Sequence, residues 1–479
     1  MNVVGLFLGQ ATARPGAQAL GTPGGAVSYG QLLGRVARIA AGLAAAGMRE
    51  GEVVALECEA VDFIAATLGI AWAGGVSVNM PPGGHRAAAR IGVTRFVTDG
   101  AAPHLPPAPT HRLEDLERAG EVPIAVVQRR PDALWRIVLS SGTTGEPKAI
   151  EFTHASCLAK NRGVCELPPA LLGDGTLLQV GYATGFGSTY WFRELSRGTR
   201  VEVVTEAAAA LKSLSKGGVD LLVASPGNAI ALAAALAGTS GAKGNAARAM
   251  LLAGAALNAK QRESLRAQVC SNLWVCYGST EIGLIALQSP RLMETDPDCA
   301  GRLLPGVEAH AVDDAGRKLP AGEEGRLRMR SPAMARGYVI QDSSPAEERE
   351  AFRDGWFQSR DVGRVDRERR VYLRARQDEV LNLDGNKVAP AMIEGLIEQL
   401  PGIEECAVVH ATLQDGQSLL VAFVVAAGAV DAEVVLARCR AGLPKWQVPA
   451  RIVQLAALPR NDAGKVLRRE LVERAGAGA

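Results

Sequence analysis

The first part of the chain alternates apolar strand-like runs with alanine-rich helical patterns. Apolar side chains recur at helical spacing over residues 29–46, and Gly47 follows as a C-terminal cap. Strand-like runs and helical patterns then alternate as far as residues 220–224. Alternation on this scale predicts an α/β fold, in which mostly parallel sheets are covered by helices.

The pattern of apolar and polar residues changes after about Asp296. Residues 301–330 combine short strand-like runs with turn residues, which favours a β-rich subdomain. Apolar strands and helical segments then mix in the last hundred or so residues. We therefore expect an N-terminal domain over residues 1–377, made of α/β subdomains plus the β-rich subdomain. A small, mobile α+β domain is expected over residues 378–479.

Composition and charge set limits on the class of protein. The chain has 479 residues, of which 48% are hydrophobic and 21% charged, as in ordinary soluble globular proteins. The formal net charge of +2 gives no argument for binding nucleic acid. The charged residues of 360–376 have both signs, which is typical of a solvated strand pair rather than of a nucleic-acid site.

No targeting or membrane segment is expected. The first ten residues lack the basic flank and apolar length of a signal peptide. The longest uncharged stretch, residues 221–242, is interrupted by Ser225, Pro226 and Asn228, so no membrane span is predicted. The eight cysteines form no CxxC pair, which disfavours a thiolate zinc site. Buried thiols in a reducing compartment indicate a cytoplasmic protein.

The strongest chemical signal is a run of small and hydroxylated residues after a strand-like segment. The run reads Ser140-Ser141-Gly142-Thr143-Thr144-Gly145-Glu146-Pro147-Lys148. Its glycines let backbone N–H groups turn toward an anion, its hydroxyls add donors, and Lys148 adds a positive charge. It is not a Walker A loop, because Pro147 stands where the second glycine is required. The run therefore predicts a loop that binds phosphate.

This run resembles the signature loop of the adenylate-forming enzymes. That superfamily includes acyl-CoA synthetases, peptide-synthetase adenylation domains and luciferases, and the acyl-CoA ligases are the most similar. Further segments resemble the other motifs of the family, in the family's order, along nearly the whole chain. The resemblance implies ATP binding by residues of the loop: Ser140, Ser141, Gly142, Thr143, Thr144, Gly145 and Lys148.

A second segment, Tyr277-Gly278-Ser279-Thr280-Glu281, resembles the family's aromatic-Gly-x-Thr-Glu motif. The resemblance implies that Tyr277 stacks on adenine, Thr280 meets the α-phosphate and Glu281 helps to hold magnesium. A carboxylate suits a hard cation beside phosphate oxygens. Upstream, Gly254-Ala255-Ala256 resembles the backbone stretch that lines the other face of adenine.

The segment that begins at Gly355 and reads GWFQSRDVG resembles the GWF…GD motif of the family. By this resemblance, Asp361 accepts hydrogen bonds from the ribose hydroxyls and Arg376 lies on the ribose side. The usual glycine before that arginine is Ala375 here. Asp378 matches the hinge about which the family rotates its small domain.

Two further motifs lie in the C-terminal part. The run Asn382-Leu383-Asp384-Gly385-Asn386-Lys387-Val388 resembles the loop that enters the active site for the thioester step, and we assign that role to Gly385. The run that ends at Gly464-Lys465 resembles the catalytic-lysine motif. The resemblance implies that Lys465 steadies the α-phosphate and the incoming carboxylate, so that Lys465, Thr280 and Glu281 form the catalytic set.

The acid pocket in this family follows the segment that here contains Tyr182, Thr184 and Phe186. Thr184 falls where many relatives have a histidine or aromatic gate, and where relatives that activate amino acids have an aspartate. An uncharged threonine cannot pair with an ammonium group. The expected substrate is therefore a non-amino carboxylic acid, fatty or aromatic.

The expected activity is ATP-dependent conversion of this acid to its acyl-adenylate, followed by transfer to the thiol of CoA with release of AMP. ATP, Mg²⁺ and CoA are the implied cofactors. An alternative acceptor is the phosphopantetheine of an acyl- or peptidyl-carrier protein, which has the same thiol arm. A third possibility is a non-ligase, either an adenylate-binding protein or a luciferase-like oxygenase. Intact Glu281, Asp361 and Lys465 argue against loss of the chemistry.

Overall fold

The computed structural model describes most of the chain. The described residues are 2–22, 25–80, 85–100, 108–119, 124–140, 148–237, 247–340, 344, 346–377, 381–383, 386–388, 390–412, 418–460 and 466–477. Among them, no helix combines the length and the apolar character needed to cross a membrane.

Helices and strands alternate through the first half of the chain, as the sequence predicts. The helices of the described residues are α1 (Val4–Ala13), α2 (Tyr29–Ala45), α3 (Ala60–Trp72), α4 (His85–Ile91), α5 (Leu113–Ala119), α6 (His154–Cys165), α7 (Gly185–Arg197), α8 (Ala207–Ser215), α9 (Pro226–Ala237), α10 (Ala259–Gln268), α11 (Pro290–Thr295), α12 (Ala346–Glu350), α13 (Pro390–Glu398), α14 (Ala432–Gly442) and α15 (Arg468–Ala477).

The strands become dense in the middle of the chain, where the sequence predicts a β-rich subdomain. They are β1 (Gln18–Thr22), β2 (Gly25–Ser28), β3 (Val53–Glu57), β4 (Val76–Asn79), β5 (Val93–Thr98), β6 (Thr110–Arg112), β7 (Leu134–Ser140), β8 (Lys148–Thr153), β9 (Gly175–Gln179), β10 (Arg200–Val203), β11 (Leu221–Ala224), β12 (Ala249–Ala253), β13 (Leu273–Ser279), β14 (Gly283–Gln288), β15 (Gly301–Leu303), β16 (Glu308–Val312), β17 (Gly325–Arg330), β18 (Gly337–Tyr338), β19 (Phe352–Arg353), β20 (Trp356–Val365), β21 (Arg370–Arg376), β22 (Leu381–Leu383), β23 (Asn386–Val388), β24 (Ile403–Thr412), β25 (Ser418–Ala426) and β26 (Arg451–Gln454).

The helix predicted over residues 29–46 is confirmed as α2. Its first turn is fixed by a capping box, in which the side chain of Ser28 accepts a hydrogen bond from the backbone N–H of Gln31, and the side chain of Gln31 accepts one from the backbone N–H of Ser28. The apolar positions at helical spacing, among them Leu32, Val36 and Ile39, are fully buried. The hydrophobic period alone therefore places this helix and its buried face.

The largest sheet joins a parallel half to an antiparallel half. The parallel strands follow the order β13-β12-β11-β9-β10-β1, and β2 pairs antiparallel with β1. From β13 the sheet continues antiparallel through β14, β15, β21, β20 and β17 to β16. The carboxyl ends of parallel strands meet at one edge, so the segments after β9, β12 and β13 lie near one another.

The second sheet supplies a hairpin to the same region. Its order is β18-β8-β7-β4-β3-β5-β6, with β7 and β8 antiparallel. Ser140, at the end of β7, pairs directly with Lys148, at the start of β8. The two ends of the predicted phosphate loop are therefore held side by side. Together the two sheets and their helices confirm the expected α/β class.

The C-terminal part is a separate α+β unit with its own small cores. The strands β24, β25 and β26 form one sheet, and buried side chains of α13, α14 and α15 pack on it. This unit contacts the start of α10, where the Lys260 ammonium donates to the carbonyls of Leu400 and Ile403, at 2.8 Å each. The boundary at residues 377 and 378 stays a prediction.

Candidate active site

One cleft collects most of the site residues that the sequence predicts and the structure describes. Its volume is about 650 Å³, within the usual range for ligand sites. Segments far apart in the chain line it, namely both ends of the phosphate loop, the segment after β13, and β18, β20 and β21. Among its lining residues are Ser140, Lys148, Ser279, Thr280, Glu281, Tyr338, Arg360, Asp361 and Arg376.

Asp361 is the centre of a polar cluster at one end of the cleft. It lies directly opposite Arg376 in the β20–β21 pair, and Arg376 Nη1 is 3.1 Å from Asp361 Oδ1. The Tyr277 hydroxyl donates to Asp361 Oδ2 at 2.5 Å. Burial, with the Asp361 charge next, raises the pKa of Tyr277 well above its usual value, so Tyr277 stays a phenol and a donor. The carboxylate is thereby fixed in orientation on the predicted ribose side.

Gly254 and Ala255 follow β12, next to the strand that carries Tyr277. Ala253, the last residue of β12, pairs with Cys276 in β13. Gly254 then has φ of 113°, which favours glycine, and the chain leaves the sheet. Gly254 and Tyr277 therefore emerge side by side at the carboxyl edge. This placement allows the two residues to form opposite walls of an adenine site. The adenine site itself stays a prediction.

Glu281 is held by a residue that the sequence analysis missed. The Tyr338 hydroxyl, on β18, donates to Glu281 Oε1 at 2.7 Å. Burial, and then the Glu281 charge, raises the pKa of Tyr338, so the Tyr338 hydroxyl keeps its proton and remains the donor. Nothing in the local sequence points to Tyr338, because β18 is a short strand that pairs with β8 across the second sheet.

The cation of the predicted phosphate loop has two partners in the described residues. Lys148 Nζ lies 3.3 Å from Glu348 Oε1 on α12, and both side chains are only 16% exposed. The same ammonium lies 5.0 Å from the centre of the Tyr338 ring. Tyr338 therefore touches both the loop cation and the predicted magnesium ligand, and it links the two halves of the cleft. No motif in the sequence points to Glu348.

The predicted acid-pocket segment borders this cleft through Gly185. A Cβ on Gly185 would lie 2.9 Å from Thr280 Cγ2, so the first turn of α7 is packed against the Thr280 side chain. Thr184 caps the same helix, and its hydroxyl accepts from Gly187 N at 3.0 Å and donates to Gly181 O at 2.7 Å. The hydroxyl is thus occupied in the cap, and a gating role for Thr184 stays a prediction.

The two aromatic residues of that segment pack into the protein. The Tyr182 hydroxyl donates to the carbonyl of Cys58 at 2.9 Å, and the Tyr182 ring lies 5.2 Å from that of Phe63. Phe186 meets Tyr190 edge to face at 5.1 Å. Their part in an acid pocket also stays a prediction.

Several predicted site residues lie outside the described residues. These are Ser141, Gly142, Thr143, Thr144, Gly145, Asp378, Gly385 and Lys465. Their flanks are described in three cases, since Leu383 also pairs with Asn386 around Gly385. Ser140 pairs with Lys148 around the phosphate loop, and a β-bridge joins Arg460 to Val466 around the segment that contains Lys465. In each case the two flanking residues are held together.

The residues present fit magnesium that is bound together with ATP. Within the described ranges, no group of three or more His, Cys, Asp and Glu side chains could hold a metal ion by itself. Magnesium is commonly bound by one or two carboxylates together with substrate phosphates. Glu281 offers such a carboxylate beside Thr280 in the cleft. Glu281 would then hold the ion against the nucleotide, which lets the ion neutralise phosphate charge.

Comparisons with known proteins give two adjacent family matches. The family described as AMP-binding enzyme matches residues 7–339, well over half of the chain. The family described as AMP-binding enzyme C-terminal domain matches residues 392–465.

Individual relatives are ligases by name. The chain is 31% identical over 351 residues to the p-hydroxybenzoic acid–AMP ligase FadD22 of Mycobacterium tuberculosis, covering 70% of this chain and 48% of that protein. It is 29% identical to the fatty acid–[acyl-carrier-protein] ligase ScoC of Streptomyces coeruleorubidus, covering 72% and 68%. It is 28% identical to the 2-succinylbenzoate–CoA ligase of Bacillus cytotoxicus, covering 76% and 75%. The chain thus spans about half the length of the first of these relatives.

A solved structure shares the fold over nearly the whole chain. The o-succinylbenzoate CoA synthetase of Bacillus subtilis, in complex with an acyl-adenylate intermediate, has a TM-score of 0.83 at 22% identity, with 97% of each chain covered. At this identity the likeness shows the fold alone. The two family matches confirm the family that the motifs resemble. This chain belongs to the family of AMP-binding enzymes.

Proposed function

We propose that this chain activates a carboxylic acid with ATP as its acyl-adenylate and then transfers the acyl group to the thiol of CoA. The observation that carries the proposal is the cleft in which Lys148, Thr280, Glu281, Asp361 and Arg376 line one space. A phosphate-binding loop, a magnesium carboxylate and a ribose-binding aspartate are the parts that an adenylation site requires.

The chemistry brings two anions together, since a carboxylate attacks the α-phosphate. Catalysis must therefore come from positioning and from neutralising charge. Lys148 and Lys465 supply positive charge, Thr280 supplies a hydroxyl donor, and Glu281 holds the magnesium that offsets phosphate charge. No general base is needed, because the attacking carboxylate is already ionised near neutral pH.

The contacts of Lys148 and Glu281 indicate what the nucleotide must displace. Lys148 is paired with Glu348, and Glu281 accepts from Tyr338. Lys148 would exchange Glu348 for the phosphates of ATP, and Glu281 would hold magnesium with the carboxylate that accepts from Tyr338. Such a magnesium ion would supply charge neutralisation at the phosphates.

The names of the relatives support the reaction and leave the acceptor to be tested. One is a CoA ligase and another an acyl-carrier-protein ligase. The second candidate function is therefore the loading of a carrier-protein phosphopantetheine. Comparison of CoA with a holo-carrier protein, each supplied with the same acid, separates the two.

The test is ATP–pyrophosphate exchange over a panel of simple carboxylic and amino acids. We expect exchange that depends on a non-amino acid, and loss of exchange in Glu281→Gln. The matched control is Glu433→Gln, which changes an exposed glutamate of α14 whose side chain is 74% exposed. Failure of every acid, or full exchange in Glu281→Gln, contradicts the proposal.

The predicted roles of Lys465 give a sharper test of the two half-reactions. Lys465→Ala should abolish adenylate formation, yet spare thioester formation from a supplied acyl-adenylate. The reason is that the lysine neutralises charge at the α-phosphate only in the first step. Equal loss of both half-reactions contradicts this assignment.

We also infer a cytoplasmic location and the division into domains at residues 377 and 378. All eight cysteines lie in the described residues and are free thiols, which supports a reducing compartment. The separate family match to residues 392–465 supports a distinct C-terminal domain.

A further inference from the structure

A small cavity lies behind the cleft, between the β7–β8 hairpin and the helices α6 and α7. Its volume is about 30 Å³, which by this measure is room for roughly two water molecules or one carboxylate group. Trp135, Phe152 and Phe192 form apolar walls, and two cationic side chains, Arg136 and Lys160, also line it.

Arg136 is a buried cation with unused donors. Arg136 is only 1% exposed, and its side chain projects from β7, a strand with no other charged residue. One guanidinium nitrogen, Nη2, donates to the carbonyl of Ala183 at 2.6 Å. The other two, Nε and Nη1, have no hydrogen-bond partner in the described part of the chain. Burial lowers the pKa of Arg136 to about 10, so the group remains charged at neutral pH.

Lys160 adds a second cation to the same cavity. Its ammonium lies 4.0 Å from the centre of the Phe152 ring, and no acidic side chain of the described residues forms an ion pair with it. Burial, with repulsion from Arg136 as a further cause, lowers the pKa of Lys160 to about 8. Lys160 is therefore still largely protonated at pH 7.

No carboxylate of the described residues forms an ion pair with Arg136 or Lys160, although the charge of Glu281 acts on Lys160 from a greater distance. Burial raises the pKa of the Cys157 thiol to about 12, so this neighbour is neutral. The indole N–H of Trp135, which also lines the cavity, has no acceptor either. The polar atoms of Arg136 and Trp135 that lack a hydrogen-bond partner are therefore all donors. Unpaired buried charge is expensive, and it is commonly retained where a ligand supplies the opposite charge.

The cavity shares a wall with the cleft. Gly185 lines the cavity and packs against Thr280, which lines the cleft. Gly185, Thr189 and Phe192 of α7 all line the cavity. Measured along the helix axis from Gly185, Thr189 lies roughly 6 Å away and Phe192 roughly 10 Å away, at 1.5 Å per residue. The cavity therefore extends from the side of α7 that packs on Thr280 toward the middle of the helix, and Arg136 and Lys160 line it.

We propose that the acid activated by this chain has a second anionic group, a carboxylate, which binds between Arg136 and Lys160. This inference rests on the proposed adenylation activity and narrows its substrate class. The class is a compact dicarboxylic acid, aliphatic or aromatic.

The test is ATP–pyrophosphate exchange with matched pairs of acids. Adipate is compared with hexanoate, and terephthalate with 4-methylbenzoate and 4-hydroxybenzoate. We expect kcat/KM for each dicarboxylate to exceed that of its methyl-ended partner by about tenfold or more, the effect of a charge-assisted hydrogen bond. Equal or faster exchange with the methyl-ended acids overturns the inference and leaves the adenylation activity standing. Faster exchange with 4-hydroxybenzoate than with terephthalate overturns it in favour of a neutral hydroxyl. Exchange with no acid overturns both proposals.

Variants of the two cations give an independent readout. Arg136→Met and Lys160→Met should each raise the KM for adipate by about tenfold, while the KM for ATP and the exchange with hexanoate stay unchanged. The matched control is Lys212→Met, an exposed lysine of α8, which should change none of these. If Arg136→Met fails to fold, the Lys160→Met variant alone tests the inference. Equal loss of activity with both acids, in a variant whose melting temperature is unchanged, overturns the inference.

Discussion

The two ends of α7 place buried charges in opposite situations. In its C-terminal half, Arg193 and Glu194 are both fully buried. Arg193 Nε donates to Glu194 Oε1 at 2.7 Å, and the Thr176 hydroxyl donates to the same oxygen at 2.9 Å. The other carboxylate oxygen accepts from Arg197 Nη1 at 3.0 Å and from the Thr199 hydroxyl. Every oxygen of this buried carboxylate has a cationic or hydroxyl partner.

At the N-terminal end of the same helix, the charges that face it have no such partner. Arg136 and Lys160 lie in the cavity lined by Gly185 and Ser188, and no carboxylate of the described residues forms an ion pair with them. The two ends of α7 therefore show two kinds of buried charge. A charge whose partners are supplied by the fold is structural, whereas a charge that the fold leaves unpaired indicates a ligand.

The largest expected effect comes from breaking the paired end. Glu194→Ala should reduce the free energy of unfolding by about 3–5 kcal/mol, because it leaves the Arg193 guanidinium buried without its anion. Urea denaturation followed by circular dichroism measures the change. Glu433→Ala, which removes an exposed partner of Arg440, is the control and should have no measurable effect. Equal stability of the two variants contradicts the comparison.

A smaller effect is expected from titrating the unpaired end. The pKa of Lys160 is about 8, so raising the pH through that value removes one of the two cations. The ratio of kcat/KM for adipate to that for hexanoate should fall, by up to about tenfold, between pH 6.5 and 9.5.

Other titratable groups near Lys160 do not account for this fall. The pKa of Arg136 is about 10 and that of Cys157 about 12, so both largely keep their protons over most of this range. The charge of Glu281 also acts on Lys160, but it is common to both acids and cancels in the ratio. Lys160→Met should make the ratio independent of pH in this range. A pH dependence that survives in Lys160→Met would assign it to another group.

The smallest expected effect is on the stability of the unpaired end. Arg136→Met should leave the free energy of unfolding unchanged or raise it by up to about 1 kcal/mol, because it removes a buried cation that lacks an anion and keeps an apolar side chain of similar length. The measurement is the same urea denaturation. A loss close to that of Glu194→Ala would show that Arg136 is a structural residue.

The sequence predicted those residues of the cleft that lie within continuous motifs. Thr280, Glu281 and Asp361 were identified because each belongs to a short run of characteristic order, and the cleft brings them together. The mixed-charge run over residues 360–376 was also correctly interpreted as a strand pair, which places Arg376 opposite Asp361.

Partners brought together by tertiary contacts were not predictable from local sequence. Tyr338 reaches Glu281 from a strand 57 positions later in the chain, and Glu348 meets Lys148 from a short helix. Arg136 did leave a signal, since it is the one charged residue in the apolar run Leu134–Ser140. Lys160 left none, because a lysine on a helix is usually a solvated surface residue.

The most direct test of the account is calorimetric titration with two non-hydrolysable acyl-adenylate analogues. Both are acyl-sulfamoyl adenosines, and they differ only in whether the acyl chain ends in a carboxylate or in a methyl group. We expect that both bind, that the carboxylate analogue binds about tenfold tighter, and that Arg136→Met removes this difference. Equal affinities in the unmodified protein, or tighter binding of the methyl-ended analogue, would contradict it.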